Sequence, residues 1–178
     1  MKKALVILFT LICTGSYLSP GLAQDSATPR EVFDKLSQAA QAISTMGIDA
    51  MKDPATQKEF YTEFAWKDTY IVVHSCVEKK NIVHPSSQVV GLGIEKVACK
   101  KTGKQILNDF CANQTPEGYW VEYWWTKPGE PDDQLFRKIM IAIPIPGIPG
   151  VQAGAGIYSE DLSVEELNKQ VVEWAVSQ

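Results

Sequence analysis

The stretch GYWVEYWW, residues 118–125, holds three of the five tryptophans and two of the six tyrosines of this 178-residue chain. Its aromatic and β-branched composition predicts a strand, in which alternate side chains point to opposite faces of a sheet. Val121, Tyr123 and Trp125 then share one face, and the residues between them share the other. The sequence RKI at 137–139 opens the next predicted strand. An aromatic strand beside a strand with a basic pair predicts a small pocket for an anionic or polar molecule.

Helices are predicted on both sides of this central region. The sequence TPRE at 28–31 has a capping threonine, a proline at the first helical position and a glutamate that completes a capping box. Apolar residues then recur at helical spacing as far as Gly47, which predicts a long amphipathic helix. A second capping box, SVEE at 163–166, begins a C-terminal helix. Shorter helices are predicted at 56–64 and 104–111.

Extended segments account for most of the remaining chain. Residues 69–74 and 81–84 are rich in β-branched and aromatic residues and form a predicted hairpin, and residues 137–143 and 151–158 are predicted strands. Three prolines within residues 144–149 exclude a central strand there and indicate a rigid connector. Short connections between consecutive strands imply an antiparallel sheet of about five strands, with the long N-terminal helix packed on it. The predicted fold class is therefore α+β.

The N-terminal residues have the features of a secretory signal. A positively charged start and an apolar run at 4–13 precede small residues at Gly21 and Ala23, as a cleavage site requires. The run is shorter than the roughly 20 apolar residues of a membrane span. We therefore expect a signal peptide at 1–23 and a single domain at 24–178. That domain is expected to be periplasmic or secreted, with no membrane span after cleavage.

The charge of the chain argues against two classes of partner. The chain has 17 basic and 21 acidic residues, and the expected signal peptide contains two of the lysines and no acidic residue, so 15 basic residues and a net charge of −6 remain. A nucleic-acid-binding domain presents a basic face, and adhesion to anionic lipid needs a basic cluster. We expect neither nucleic acid nor a lipid surface as a partner.

Three cysteines, Cys76, Cys99 and Cys111, belong to the expected mature domain. In an oxidising compartment the simplest state is one disulfide and one free thiol, and all three pairings stay open. His74 and Cys76, with His84 nearby in sequence, have the ligand types of a zinc or copper site, but the paired spacing of structural zinc sites is missing. We expect a disulfide and no metal. No hydrolase, phosphate-loop or zinc-peptidase motif is present, which favours a non-enzymatic protein without a cofactor.

Seven short segments follow one another along the chain in the order of these elements: TYIVV (69–73), NIVHP (81–85), VGLG (90–93), KKTGK (100–104), WVEYWWTKPG (120–129), RKI (137–139) and GAGIY (154–158). Together with the order of the elements, these segments resemble the single Cache domain, type two, an extracellular relative of PAS sensor domains. This sequence departs from the family at Lys100, where the family usually has an aspartate, and at Met140-Ile141, where the family often has Ser-Tyr.

The resemblance implies a PAS-like sheet and the binding of a small organic ligand, commonly a short carboxylate. Family members usually sit between two membrane helices of a chemoreceptor or histidine kinase. This chain has neither a second membrane helix nor an output domain, so we expect a stand-alone secreted domain that reports to a separate envelope receptor or kinase. The alternative is an envelope interaction module with a vestigial pocket, which would dock through Trp124 or the proline connector. The oligomeric state stays open.

Six residues are candidates for ligand binding. Lys138 is the predicted partner of a ligand carboxylate because a buried cation needs an anion, although a salt bridge to Glu122 or a side chain that reaches water fits equally. Arg137 should point to the opposite face and be solvated. His84 either donates to the ligand or bonds to the backbone, and Trp66 is expected to close one end of the pocket. The candidates are Lys138, Tyr123, Trp125, Tyr70, His84 and Trp66.

Overall fold

The computed structural model describes residues 26–127, 129–131 and 133–177, so the predicted signal peptide lies outside the described residues. None of the helices in that part of the chain is both long enough and apolar enough to cross a membrane. The helices are α1 (Pro29–Met46), α2 (Pro54–Phe64), α3 (Ile106–Ala112) and α4 (Val164–Val176), with 3₁₀ turns at Ala50–Lys52 and Ile94–Lys96. The strands are β1 (Ala65–Trp66), β2 (Thr69–Tyr70), β3 (Val72–Ser75), β4 (Lys80–Val83), β5 (Tyr119–Trp125), β6 (Phe136–Pro144) and β7 (Val151–Tyr158).

The long helix α1 begins with the predicted capping box. The Glu31 N–H donates to the Thr28 hydroxyl over 3.2 Å, and the Thr28 N–H donates to the Glu31 carboxylate over 2.8 Å. The helix ends at Gly47, whose φ of 85° belongs to the left-handed region that glycine adopts at low cost. Its apolar stripe packs on β6 and β7. The buried residues of the stripe are Val32, Phe33, Leu36, Ala39, Ala40 and Ile43.

Five strands form one antiparallel sheet in the order β4-β3-β7-β6-β5. The last three strands along the chain are neighbours in the sheet, and β3 joins them to the N-terminal half by pairing with β7. The strands β1 and β2 pair with each other in a separate ribbon. The predicted α+β class, with about five antiparallel strands, is confirmed.

The predicted strand at 69–74 is divided into two strands. Thr69–Tyr70 pairs with β1, whereas Val72–Ser75 pairs with β4 and β7. Ile71 lies between them, and its carbonyl accepts a hydrogen bond from the Tyr61 hydroxyl over 2.9 Å. The composition does not change across the break, so the sequence carries no local sign of it.

Two further boundaries differ from the prediction for local reasons. Helix α2 begins before residue 56 because Asp53 caps it, accepting from the Thr56 N–H over 2.8 Å. The proline connector is shorter than predicted, because Pro144 still belongs to β6 and the Ile145 N–H donates to the Val151 carbonyl over 3.0 Å. The connector is therefore a tight turn between two neighbouring strands.

Each face of the sheet is covered by a different layer. Helices α1 and α4 cover one face, where Trp120 is 0% exposed in the larger core. The Asn168 side chain of α4 donates to the Trp120 carbonyl over 3.0 Å and accepts from the Trp120 N–H over 2.8 Å. Residues 84–107, which we name the covering segment, lie over the opposite face together with the rest of helix α3. A second, smaller core forms there.

The disulfide joins Cys76, directly after β3, to Cys111 in α3. It therefore anchors the covering layer to the end of β3. Cys99 is a free thiol and is buried. Its Sγ accepts a hydrogen bond from the Trp124 N–H over 3.3 Å. The predicted state of one disulfide and one free thiol is confirmed, and the structure selects one of the three pairings.

Candidate functional site

A cavity of about 260 Å³ lies between the sheet and the covering segment. Strands β3, β5, β6 and β7 form its floor, because their alternate side chains point toward the covering layer. Val72 contributes from the sheet, and Leu92 and Leu107 contribute from the covering segment. Most of the lining is apolar, and a few polar groups are set into it, which is the usual composition of a small-molecule site.

Lys138 places a positive charge in the floor of the cavity. It lies on β6, directly opposite Tyr123 of β5 and Tyr158 of β7, and is 5% exposed. Its Nζ lies 3.4 Å from the Tyr70 hydroxyl, 4.7 Å from the Tyr70 ring centroid and 5.1 Å from the Tyr158 ring centroid. No described carboxylate forms an ion pair with it. The aromatic rings offset only part of the cost of burying this charge.

The alternative partner of Lys138, Glu122, is bound to Arg137 instead. The Arg137 Nε donates to Glu122 Oε2 over 2.9 Å, and its guanidinium also donates to the carbonyls of Ser159 and Leu162, each over 2.9 Å. Arg137 points away from the cavity, as predicted. The prediction that it is solvated is wrong, because the chain after β7 folds over it and leaves its side chain 15% exposed.

His84 and Tyr70 stand together at one side of the cavity, with ring centroids 5.5 Å apart in an edge-to-face arrangement. The His84 Nδ1 accepts from the Ser86 N–H over 3.0 Å, so the neutral ring carries its proton on Nε2. Burial and, to a smaller extent, the positive charge of Lys138 together lower the pKa of His84 to about 4. At neutral pH His84 is therefore an uncharged donor. Of the two alternatives given for His84, the backbone bond is present, and donation to a ligand stays a prediction.

Tyr123 and Trp125 line the cavity from β5, on the face that alternation predicts. Their ring centroids are 6.1 Å apart. The Tyr123 hydroxyl lies 3.3 Å from Met140 Sδ, which is a weak acceptor. Burial raises the pKa of Tyr123 well above its usual value, so the hydroxyl keeps its proton. A buried O–H group whose acceptor, within the described residues, is a thioether is able to donate to a stronger acceptor.

Two glycines of β7 let the neighbouring strand lie close. A Cβ atom at Gly156 would be 2.9 Å from Lys138 Cε and 2.9 Å from the Ile139 carbonyl oxygen, and one at Gly154 would overlap the Met140 side chain. Both glycines line the cavity. Because glycine has no Cβ atom, these two positions leave room for the aliphatic part of the Lys138 side chain to cross β7.

The structure brings five of the six candidates to this cavity and places Trp66 elsewhere. Trp66 packs against the helix-side core, with Lys35 Nζ 5.7 Å from its ring centroid. The sequence places Trp66 just before a predicted strand but gives no sign of the β1–β2 ribbon, which turns this side chain away from the cavity. Tyr158 was missed, although it shares a strand face with Gly154 and Gly156. The lining residues of the covering segment after His84 were also missed, because residues 86–101 have no periodicity to indicate which side chains point inward.

The surroundings of the cavity are positively charged although the chain as a whole is acidic. Among its described lining residues none is Asp or Glu, whereas Lys96 joins Lys138. Lys100 Nζ lies 5.2 Å from the Trp125 ring centroid, so the residue that departs from the family pattern adds a further cation near the site. Local positive potential attracts anions independently of the net charge.

The fold of the described residues is shared with solved sensor domains of chemotaxis proteins. The chain is similar to the periplasmic sensor domain of a chemotaxis protein, with 18% identity and a TM-score of 0.55 over 80% of this chain and 100% of that one. It is also similar to a methyl-accepting chemotaxis protein from Vibrio parahaemolyticus, with 16% identity and a TM-score of 0.57 over 75% of this chain and 90% of that one.

A Cache chemosensory domain solved for carboxylic acid recognition aligns over 74% of this chain and 88% of its own, with 18% identity and a TM-score of 0.49. No family model and no curated protein matches the sequence. At these identities the likeness establishes the fold, and the resemblance read from the sequence motifs is confirmed at that level.

Proposed function

We propose that this protein is an extracytoplasmic, non-enzymatic sensor-type domain that binds a small organic anion, such as a short carboxylate, in the cavity. Residues 24–178 would form the exported domain after removal of residues 1–23. The bound state would be reported to a separate envelope receptor or kinase. The observation that carries the proposal is Lys138, a buried cation that faces the cavity and has no acidic partner within the described residues.

The energetic argument starts from the cost of this charge. An unpaired ammonium in an apolar environment is unfavourable, and a carboxylate that enters the cavity would pair with it. The Tyr70 hydroxyl, 3.4 Å from Nζ, would hold the ammonium in position. Because the pair would form away from water, it would be worth more than a surface ion pair.

The remaining polar groups would fix the orientation of the anion. His84 presents Nε2–H, and Tyr123 presents a hydroxyl whose present acceptor is a thioether. Apolar side chains such as Leu92 and Leu107 would receive the carbon chain of the ligand. A volume of about 260 Å³ is below the range of roughly 300–1,000 Å³ that is typical of drug-sized ligands. The cavity therefore suits a molecule of a few carbon atoms.

Trp124 and Ile145, two apolar side chains that a docking module could use, are partly or fully buried, whereas Pro146 and Pro149 of the connector are exposed. Trp124 is half-buried, and the Lys101 Nζ lies 3.7 Å from the centroid of its ring. Ile145, in the proline connector, is 2% exposed. No particular observation therefore favours the interaction module over the ligand-binding domain.

A thermal-shift screen of the purified protein against short carboxylates, amino acids and amines tests the proposal. A ligand at about 100 times its dissociation constant stabilises by roughly 2.7 kcal/mol, which corresponds to a melting point about 5–10 °C higher for a domain of this size. Lys138→Met should abolish the shift, whereas Lys169→Met, on the exposed surface of α4, should retain it. Tight carboxylate binding by Lys138→Met would refute the assignment.

A further inference from the structure

We propose that His74, Cys76 and Cys111 form a second site, one that binds a thiophilic metal ion such as zinc(II) or copper(I) once the disulfide is reduced. One ring nitrogen and the two sulfur atoms lie within 4.8 Å of one another. His74 is 0% exposed, and the two cysteines are half-buried. Two thiolates and an imidazole are a ligand set that zinc and copper(I) prefer.

The hydrogen bonds of His74 leave one nitrogen available. Its Nε2 lies 2.9 Å from the Gln152 Oε1, and because an amide oxygen accepts, the ring donates there and carries its proton on Nε2. The Nδ1 atom is buried and has no hydrogen-bond partner in the described structure. A buried lone pair without a donor is unfavourable, and coordination of a metal ion would satisfy it.

The surroundings suit a metal ligand. Histidine ligands usually donate their second N–H to an oxygen, which fixes the ring, and Gln152 already does this for His74. The Phe110 ring centroid lies 6.0 Å from that of His74, so an aromatic ring packs beside the imidazole. The Gln152 amide oxygen stays on the Nε2 side of the ring, so the fourth coordination position of a metal ion on Nδ1 would be left to water.

The chemistry has two balanced steps. A dithiol reductant transfers two electrons and two protons to the Cys76–Cys111 disulfide, which becomes two thiols while the reductant becomes a disulfide. The metal ion then displaces the two protons, and the thiolates coordinate it. Two thiolates neutralise a divalent ion, so the completed site would carry no net charge inside the protein.

This cluster differs from the group of His74, Cys76 and His84 that the sequence suggests, and it is separate from the cavity. His84, which is near His74 in sequence, lines the cavity and is not a member of this cluster. The third ligand comes from α3, 35 residues beyond Cys76. None of the three residues lines the cavity. Metal binding would therefore survive the loss of Lys138.

Anaerobic titration of the reduced protein with cobalt(II), followed by zinc(II) competition, tests the inference. The protein used is residues 24–178, in which the Cys99→Ser background removes the remaining thiol. We expect one cobalt per chain, a thiolate-to-metal charge-transfer band, visible bands of tetrahedral coordination and their loss on addition of zinc. A parallel titration with copper(I) distinguishes the two ions. The oxidised protein should show none of these signals.

The control is Cys76→Ser/Cys111→Ser in the same background, which also lacks the disulfide but offers no thiolate. It should show no charge-transfer band, and zinc should raise the melting point of the reduced protein but not that of this variant. His74→Gln should change the visible bands, and Lys138→Met should leave them unchanged. Equal cobalt spectra for the reduced protein and the double variant, or no binding by the reduced protein, would overturn the inference.

Discussion

At the scale of single residues, we expect Lys138 to lower the stability of the unliganded protein and to contribute to anion binding. A lysine that is 5% exposed and has no acidic partner among the described residues destabilises the unliganded protein. Lys138→Met keeps the length of the side chain and removes the charge. We expect this variant to be more stable than the unliganded parent by about 1 kcal/mol, after allowance for the lost contacts with Tyr70 and Tyr158.

Urea unfolding without added anion measures this difference. Lys169→Met provides the matched control, because Lys169 lies on the surface, where its loss should change the free energy of unfolding by less than about 0.5 kcal/mol. A Lys138→Met protein that is less stable than the parent by 1 kcal/mol or more would mean that the lysine is already compensated.

His84 should couple anion binding to pH. Its pKa is about 4 in the unliganded protein because of burial and the Lys138 charge, and a bound anion would raise that pKa. The protonated ring then binds the anion better, so affinity should increase as pH falls from 7.5 to 5.5, with uptake of a proton. His84→Asn keeps an acceptor for the Ser86 N–H and does not titrate.

Calorimetric titration at several pH values, with acetate or a longer monocarboxylate as the probe, checks this coupling. The range stays above the pKa of the probe, so its own protonation does not interfere. The His84→Asn protein should bind with an affinity that changes little over the range. Identical pH dependence in both proteins would assign the coupling to another group.

At the scale of elements, the disulfide supports one wall of the cavity. It joins the end of β3 to α3, and α3 contributes Ile106 and Leu107 to the lining. A cross-link over 35 residues is worth about 3–4 kcal/mol in the chain-entropy description. Cys76→Ser/Cys111→Ser should therefore lose about that amount of stability and bind the anion more weakly.

Chemical denaturation and ligand titration of the double variant measure the two effects separately. Cys99→Ser is the control, because serine can still accept from the Trp124 N–H and no cross-link is lost. It should stay within about 1 kcal/mol of the parent. Unchanged anion affinity in the double variant would show that α3 is held in place without the cross-link.

The elements also show how far sequence reasoning reaches. Helix α1 and strand β5 have strong periodicity and clear end signals, so their type, their position and the cavity face of β5 could be predicted. The covering segment lies in a stretch without periodicity, and its shape depends on long-range contacts such as the hydrogen bond from the Lys100 N–H to the Trp124 carbonyl. Apart from His84, its contribution to the cavity could not be predicted. Trp66 was misplaced for a related reason, since the β1–β2 ribbon is too short to have a pattern.

At the scale of the whole molecule, the layered arrangement follows from side-chain alternation in the central strands. In β6 the buried residues alternate between the helix-side core, which includes Ile139 and Ile141, and the cavity side, which includes Lys138 and Met140. A strand covered on both faces has few polar residues, and a lysine within it is therefore conspicuous. This is why the position of the cation could be predicted although the pairing of its neighbour Arg137 could not.

The whole molecule should lose stability in mild acid because both of its histidines resist protonation when it is folded. Burial is the main cause that lowers the pKa of His74 and of His84 to about 4 each. Between pH 6.5 and 4 the unfolded chain binds protons that the folded chain does not, so the free energy of unfolding decreases as pH falls through this window.

For His74 alone the loss should reach about 2 kcal/mol by pH 5, which is a large part of the stability of a typical domain. The pKa of the capping carboxylate of Glu31 is lowered to about 2, mainly by its bond to the Thr28 N–H. Protonation of Glu31 therefore decreases the free energy of unfolding mainly at lower pH. Urea unfolding of the oxidised protein at pH 7.5, 6 and 5 isolates the histidine contribution. His84→Asn should reduce the dependence of the free energy of unfolding on pH and leave the part due to His74.

A bound anion would raise the pKa of His84, so it should stabilise the protein increasingly as pH falls. A constant free energy of unfolding from pH 7.5 to 5 would contradict the burial of both rings.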